Sequence, residues 1–261
     1  MKYIDIHAHV FPDEVAPRVV EQLEGYYKMN WHGNGTVADL TQSIEDADIE
    51  TTVIFSTATK PSQVETINNY IASLCQNNSR FIGFGTIHPD YPDIEKEIER
   101  IKTLGLHGLK LHPDFQGFNI DDPRMFRIYK AIGGTMPILI HTGDENSDFS
   151  APRRLAAVLD EMPELVVIAA HFGGYCRWDE AKKYLIGRKN LYLDTSSCFH
   201  KFSFEVGKEL TRLHGADRVL FASDYPAVRQ NEAVEHILKM ELTQEENELI
   251  LYRNAKKLLG I

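Results

Sequence analysis

Short apolar runs recur along this chain, and a helical pattern separates nearly every pair of them. The run Val166-Val167-Ile168-Ala169-Ala170 is continuous rather than alternating, as a strand covered on both faces requires. Strands are predicted over residues 2–10, 51–57, 80–87, 108–112, 137–141, 165–171, 190–195 and 218–224. Helical periodicity fills 37–48, 62–75, 91–104, 121–132, 151–162, 178–185, 204–213 and 231–240. Ser62 with Glu65, and Thr243 with Glu246, have the spacing of capping boxes, the second opening a last helix that runs to Leu259. Asp121 is placed to cap a further helix, with Pro123 in its first turn.

Eight strands with crossover helices between them predict a parallel α/β sheet closed into a (β/α)8 TIM barrel. No Gly-rich dinucleotide fingerprint follows any strand, which counts against an open doubly wound sheet. No internal repeat or linker marks a boundary, so residues 1–261 read as one domain. One stretch breaks the rhythm. Residues 12–35 form a long connection with Phe11, Tyr26, Tyr27 and Trp31 in or beside it. It is either a helix and loop packed over the barrel or a pocket wall, because it leaves the C-terminal end of the first strand.

Composition narrows the function classes. The chain has 261 residues and a formal net charge of -10, with its basic residues dispersed among acids, which disfavours nucleic acid as a partner. No apolar run reaches the roughly 20 residues needed to span a bilayer, and no signal peptide is visible at the N-terminus, so the default setting is cytoplasmic. The cysteines Cys75, Cys176 and Cys198 make neither a disulfide scaffold nor a thiolate zinc site, and Cys75 fits a buried helix face.

The chemistry collects at strand ends. His7 and His9 close the first strand on one face, where two imidazoles can share a metal. His141 ends the fifth strand, His171 the sixth and Asp224 the eighth. A barrel brings these distant ends to one rim, and burying them together without a partner or a metal is costly. A divalent ion held there would lower the pKa of a bound water, with Asp224 or His171 handling its proton. Lys110 and His112 share a face of the fourth strand; Lys110 would meet a substrate carboxylate or an interior carboxylate, and His112 would line the pocket or anchor a loop. Asp144 and Glu145 follow His141 and would orient substrate or a ligand histidine, or cap a loop. Arg177 and Arg153 lie above the same rim, placed to clamp an acidic substrate or to pack at the surface.

These residues together resemble the amidohydrolase superfamily, within it the amidohydrolase-related branch of metal-dependent TIM-barrel hydrolases and decarboxylases. The resemblance rests on Ile4-Asp5-Ile6-His7-Ala8-His9, Gly108–Pro113, His141-Thr142-Gly143, His171 and Ser223-Asp224-Tyr225-Pro226. It implies His7, His9, His141 and Asp224 as ligands of one divalent metal, zinc by expectation, with His171 beside it. It also allows a second metal, held by His171 and Lys110 as in binuclear relatives. The activity it implies is hydrolysis of an amide, ester or lactone in a small polar or acidic metabolite. Nonoxidative decarboxylation of a small carboxylate is the alternative, and a metabolite-binding barrel the non-enzymatic one. Substrate contacts are expected from Lys110, His112, Asp144 and Arg177. A homo-oligomer is compatible with this kind of barrel, although no periodic seam specifies one.

Overall fold

The computed structural model describes residues 2–261. Eight parallel strands follow one another around a single sheet in chain order: β1 (Tyr3–His9), β2 (Ile49–Phe55), β3 (Phe81–Gly85), β4 (Gly108–Leu111), β5 (Ile138–Ile140), β6 (Val167–Ala169), β7 (Leu191–Asp194) and β8 (Val219–Leu220). The ring closes where the chain beyond β8 runs alongside β1. There Ile6 N donates to Phe221 O (3.1 Å), Asp224 N to His7 O (2.9 Å) and His9 N to Tyr225 O (2.7 Å). The expected single-domain (β/α)8 barrel is what the chain forms. Closure leaves no open strand edge.

Alternation along the strands divides the core in two. Val53, Phe55, Ile82, Phe84, Leu139, Ile168 and Leu220 pack with one another inside the ring, and Ala255 and Leu259 of the last helix close its base. The intervening residues, such as Ile54, Leu109, Ile138, Val167 and Leu193, face the surrounding helices. Strand β1 departs from simple alternation, and the departure matters. Ile4 and Ile6 belong to the interior cluster, but Ala8 and Val10 belong to the outer one. Between them the register slips: Asp5 pairs with Thr52 whereas Ala8 pairs with Ile54, three steps against two. One extra residue in a strand reverses which side chains face inward beyond it. The bulge therefore turns His7 and His9 to the interior at the top of a strand whose lower half points isoleucines there.

The Thr243 capping box forms, with Glu246 N donating to Thr243 Oγ1 (3.2 Å) and Thr243 N to Glu246 Oε2 (2.8 Å). Two expected caps do not. Ser62 lies inside a 3-10 turn, Pro61–Gln63, and Gln63 rather than Glu65 reaches back, accepting from Lys60 N at 3.1 Å. The proline one residue before Ser62 sets the first turn earlier than the polar pattern suggests. The helix expected from Asp121 begins only at Met125, because Asp121 is engaged by Arg154 and Asp122 instead accepts from Arg124 N. Cys75 is half-buried rather than buried. The 12–35 connection contains a helix, Ala16–Tyr27, of which only Ala16 is buried. No helix among the described residues is long and apolar enough to cross a membrane.

Candidate active site

The C-terminal ends of β1, β4, β5, β6, β7 and β8 meet at one mouth. His7 Nε2, His9 Nε2 and Asp224 Oδ1 converge there, separated by 3.2 Å (His7 to His9), 3.1 Å (His7 to Asp224) and 3.4 Å (His9 to Asp224). Ligand bonds of about 2.1 Å separate neighbouring donors by roughly 3.0 Å at right angles and 3.4 Å at the tetrahedral angle. The spacing and the two-imidazole, one-carboxylate donor set therefore fit a divalent cation. The tautomer fits as well. His7 Nδ1 faces the Asp194 carboxylate at 2.8 Å, so Nδ1 carries the hydrogen and Nε2 presents its lone pair to the mouth.

Lys110 lies beneath this group, fully buried, its Nζ 3.0 Å from His7 Nε2 and over the Phe55 ring. Burial pulls its pKa down to about 8, against the opposing pull of Asp224 and Asp194. Burial likewise takes His9 down to about 4, so its ring is neutral and able to bind a metal. Asp224 goes the other way: burial opposes its charge, but His7, His9 and His171 hold the carboxyl well below the usual range.

His141 stands apart from that trio. Its Nδ1 meets His171 Nε2 at 3.0 Å, while His171 Nδ1 donates to Ser196 O at 3.0 Å. The chain of bonds makes His171 Nε2 an acceptor, so His141 Nδ1 carries a hydrogen and His141 Nε2 is left bare. That bare nitrogen points toward Asp114 Oδ2, 3.9 Å away, which is also 3.9 Å from His112 Nδ1. All three atoms are buried without a hydrogen-bond partner. His112, Asp114 and His141 thus make a second His/Asp group with metal-ligand spacing. It is looser than the first, and its two imidazoles are stacked, 3.9 Å between centroids and 11° between planes, so their lone pairs lie in near-parallel planes. The four ligands expected from the sequence are in this way split: His7, His9 and Asp224 together, His141 with the second group.

Backbone geometry is unusual at the same rim. His171, Ser197 and Asp224 take left-handed φ values of 60°, 45° and 64°, a conformation that costs non-glycine residues of order 1 kcal/mol and concentrates at functional sites. Gly143, two residues past His141, has φ 85°, and a Cβ there would lie 2.5 Å from the backbone of Gly174 and Tyr175. Only glycine lets the loops after β5 and β6 touch, which they do through Tyr175 N donating to Thr142 O at 2.8 Å.

The remaining expected residues are less uniformly placed. His112 lines the cavity, its Nε2 3.2 Å from Tyr27 Oη. Asp144 is buried behind the cavity wall, accepting from Tyr26 Oη at 3.1 Å. Arg177 is spent on the loop after β5, donating to Asp144 O, Ser147 O and Asp148, and it does not reach the cavity. Arg153 pairs with Asp148 and Glu180, and Glu145 with Lys201. Asp194 and Ser196 carry roles that the sequence reading passed over. Asp194 Oδ1 accepts from His171 N (2.8 Å), Ser196 N (3.0 Å) and Ser196 Oγ (2.5 Å), while Oδ2 takes His7. The available signal was its position, a carboxylate closing a predicted strand.

The family model for Amidohydrolase matches residues 4–261. The chain belongs to the amidohydrolase family. This places it in the amidohydrolase-related branch and makes it a metal-dependent barrel enzyme. Among solved structures, a 2,6-dihydroxybenzoate decarboxylase in complex with 2,6-dihydroxybenzoate is similar at 18% identity and TM-score 0.78, with 100% of each chain covered. A 5-carboxyvanillate decarboxylase from Sphingomonas paucimobilis matches at 16% identity and TM-score 0.74, over 100% of this chain and 99% of that one. Another, from Novosphingobium aromaticivorans and complexed with manganese and 4-hydroxy-3-methoxy-5-nitrobenzoic acid, matches at 18% and TM-score 0.74, over 99% and 96%. At such identities the likeness is one of fold.

Proposed function

We propose that this amidohydrolase-family enzyme is a nonoxidative, metal-dependent decarboxylase of a small carboxylate. The observation that carries the reading is the end-to-end likeness to several decarboxylases, joined to a ligand trio with a buried cation beneath it to which no carboxylate is bonded, Lys110. His7, His9 and Asp224 would hold the ion. Bound there, a divalent cation supplies Lewis-acid polarisation of substrate oxygens. The imidazole-rich set favours zinc; manganese, present in the similar Novosphingobium enzyme, is the competitor that elemental analysis separates.

The chain's own groups do the rest. Lys110 Nζ neutralises negative charge at the inner end of the mouth, where low polarity strengthens the interaction. Phe115, Tyr27 and Tyr175 crowd around His112 and His141 and keep water from the reacting carbon. The carbon–carbon bond breaks, its electron pair stays on the substrate carbon, and a proton must replace the departing carbon dioxide. Asp224, partly exposed along with His9 (16% and 15%), relays that proton from solvent. His171, locked by Ser196 O and His141, fixes the charge distribution beside it.

Hydrolysis of an amide, ester or lactone uses the same donors and remains the second reading. It is favoured by Asp224 being held ionised, the state that accepts a proton from an attacking water. Purified enzyme reconstituted with zinc or manganese and offered a panel of hydroxybenzoates, aryl amides and lactones decides between the two. The first reading expects carbon dioxide release from a hydroxybenzoate that Asp224→Asn abolishes, with metal affinity falling alongside it. Acid production from amides or lactones with no carbon dioxide from any acid would replace it with the second.

A further inference from the structure

The mouth continues outward into a cavity of about 980 Å³ that reaches beyond the catalytic residues. Cavities for drug-sized ligands run roughly 300–1,000 Å³, so a single-ring acid leaves most of this one unfilled. The shape comes from the 12–35 connection. Helix Ala16–Tyr27, with Val15 at its N-cap, lays one face along the cavity: Val15, Val19, Leu23 and Tyr27, four residues apart each, with Arg18 and Gln22 beside them. From Val15 to Tyr27 is twelve steps, about 18 Å of helix at 1.5 Å per residue. Ile67 and Tyr70 of the helix Val64–Asn77 form the facing wall.

That apolar face is not spent on the core. Val15, Val19 and Leu23 belong to none of the packed hydrophobic clusters, and Val15 is 44% exposed. A helix whose apolar stripe lines an open cavity needs something apolar to lie on it. Tyr27 ends the stripe beside His112, and the same cavity is lined by His9, His141, His171 and Asp224, so the stripe and the catalytic mouth are one continuous surface.

We propose that the substrate is an elongated amphipathic acid: its carboxylate sits at the His9–Asp224 mouth and an apolar body, longer than one ring, lies along Val19 and Leu23. The headgroup assignment rests on the decarboxylase reading; the length does not. Arg18 and Lys60 stand at the cavity wall with no ion-pair partner among the described residues, whereas the nearby acids Asp13 and Glu14 do not line it.

Calorimetric titration of the metal-loaded enzyme with benzoate, 4-propylbenzoate and 4-hexylbenzoate tests the length. Each buried methylene should tighten binding by about fourfold, and 4-hexylbenzoate should exceed benzoate by at least a hundredfold. Val19→Trp fills the groove without touching the mouth. It should remove most of that gain and leave benzoate binding unchanged, the retained benzoate signal reporting an intact fold. Equal affinities along the series overturn the proposal, as does a gain that Val19→Trp leaves intact. If a second copy of the chain covers the stripe instead, the series is flat and Val19→Trp turns a sedimenting dimer into a monomer. Carbon dioxide measured on the hydroxybenzoate panel and on 4-hexyl-2-hydroxybenzoate keeps the questions apart: tight binding of long acids with no carbon dioxide from any hydroxybenzoate sinks the decarboxylase reading and leaves the length inference standing.

Discussion

Replacing Asp194 by asparagine should weaken metal binding by roughly ten- to a hundredfold, although Asp194 is not itself a ligand of the trio. The carboxylate accepts on both oxygens, from His7 Nδ1 on one side and from His171 N, Ser196 N and Ser196 Oγ on the other. An amide accepts on one oxygen only. If that oxygen stays with His171 and Ser196, the amide N–H faces His7 Nδ1 and drives the imidazole hydrogen to Nε2, closing the lone pair that His9 and Asp224 surround. If the amide turns over, its N–H faces two backbone donors. Either arrangement costs one charge-assisted bond and misaligns a ligand.

The magnitude follows from the carboxyl itself. Burial pushes its pKa up, but His7, His171 and Ser196 overcome this and hold it at about 2, against an ordinary 3.8. At 1.36 kcal/mol per pKa unit the network favours the ionised form by roughly 2–3 kcal/mol, about sixtyfold in an equilibrium constant and inside the range expected when the partner behind a ligand histidine is lost. Because the folded pKa is depressed, this stabilisation is full above the unfolded value near 4 and is lost as pH falls from there toward 2. Competition titration with a chromophoric chelator at pH 7 measures the affinity, and denaturant midpoints from pH 2 to pH 6 measure the stability. The variant should lose most of the acid limb that the wild type has in this window. An Asp194→Asn chain with wild-type circular dichroism, wild-type metal affinity and an unchanged acid limb would refute the role.

Two further perturbations probe neighbouring parts of the rim. Lys110→Met removes a buried charge that burial disfavours, so the melting temperature should hold or rise while KM for the acid increases at least tenfold; equal kinetic constants would remove Lys110 from substrate binding. Gly143→Ala forces a Cβ into the Gly174 and Tyr175 backbone at a positive φ, which should destabilise by about 2 kcal/mol or more and separate His141 from His171. An alanine variant melting at the wild-type temperature would show that the two loops do not depend on that contact.

The barrel was legible because its rule is repetitive: eight apolar runs in a parallel sheet need crossover helices, and closure follows from their number. The pairing of His7 with His9 was legible from period two alone, yet that they face inward depends on a bulge between Asp5 and Ala8 that no propensity announces. Ile6 and His7 both turning inward is a tertiary outcome, set by how β1 sits between β2 and the chain after β8. Asp224 and His171 could be named from strand ends, but their left-handed backbones could not, since aspartate and histidine only lean toward positive φ and most of them in the chain do not adopt it.

The same limit explains where residue roles went astray. Arg177 sits in sequence where a substrate clamp would, but the acids of the 144–148 loop are closer partners than any ligand, and a guanidinium spends its donors on what is nearest. Asp194 is the converse case. A carboxylate inside an apolar strand is expensive unless several donors meet it, and the donors that do come from β1, β6 and its own strand. Strand-end histidines advertise a site because imidazole is rare there. The carboxylate that decides which imidazole nitrogen faces the metal becomes recognisable only when the ring of strands brings residue 7 and residue 194 to 2.8 Å. Convergence, more than residue type, is therefore the property from which the function has to be argued.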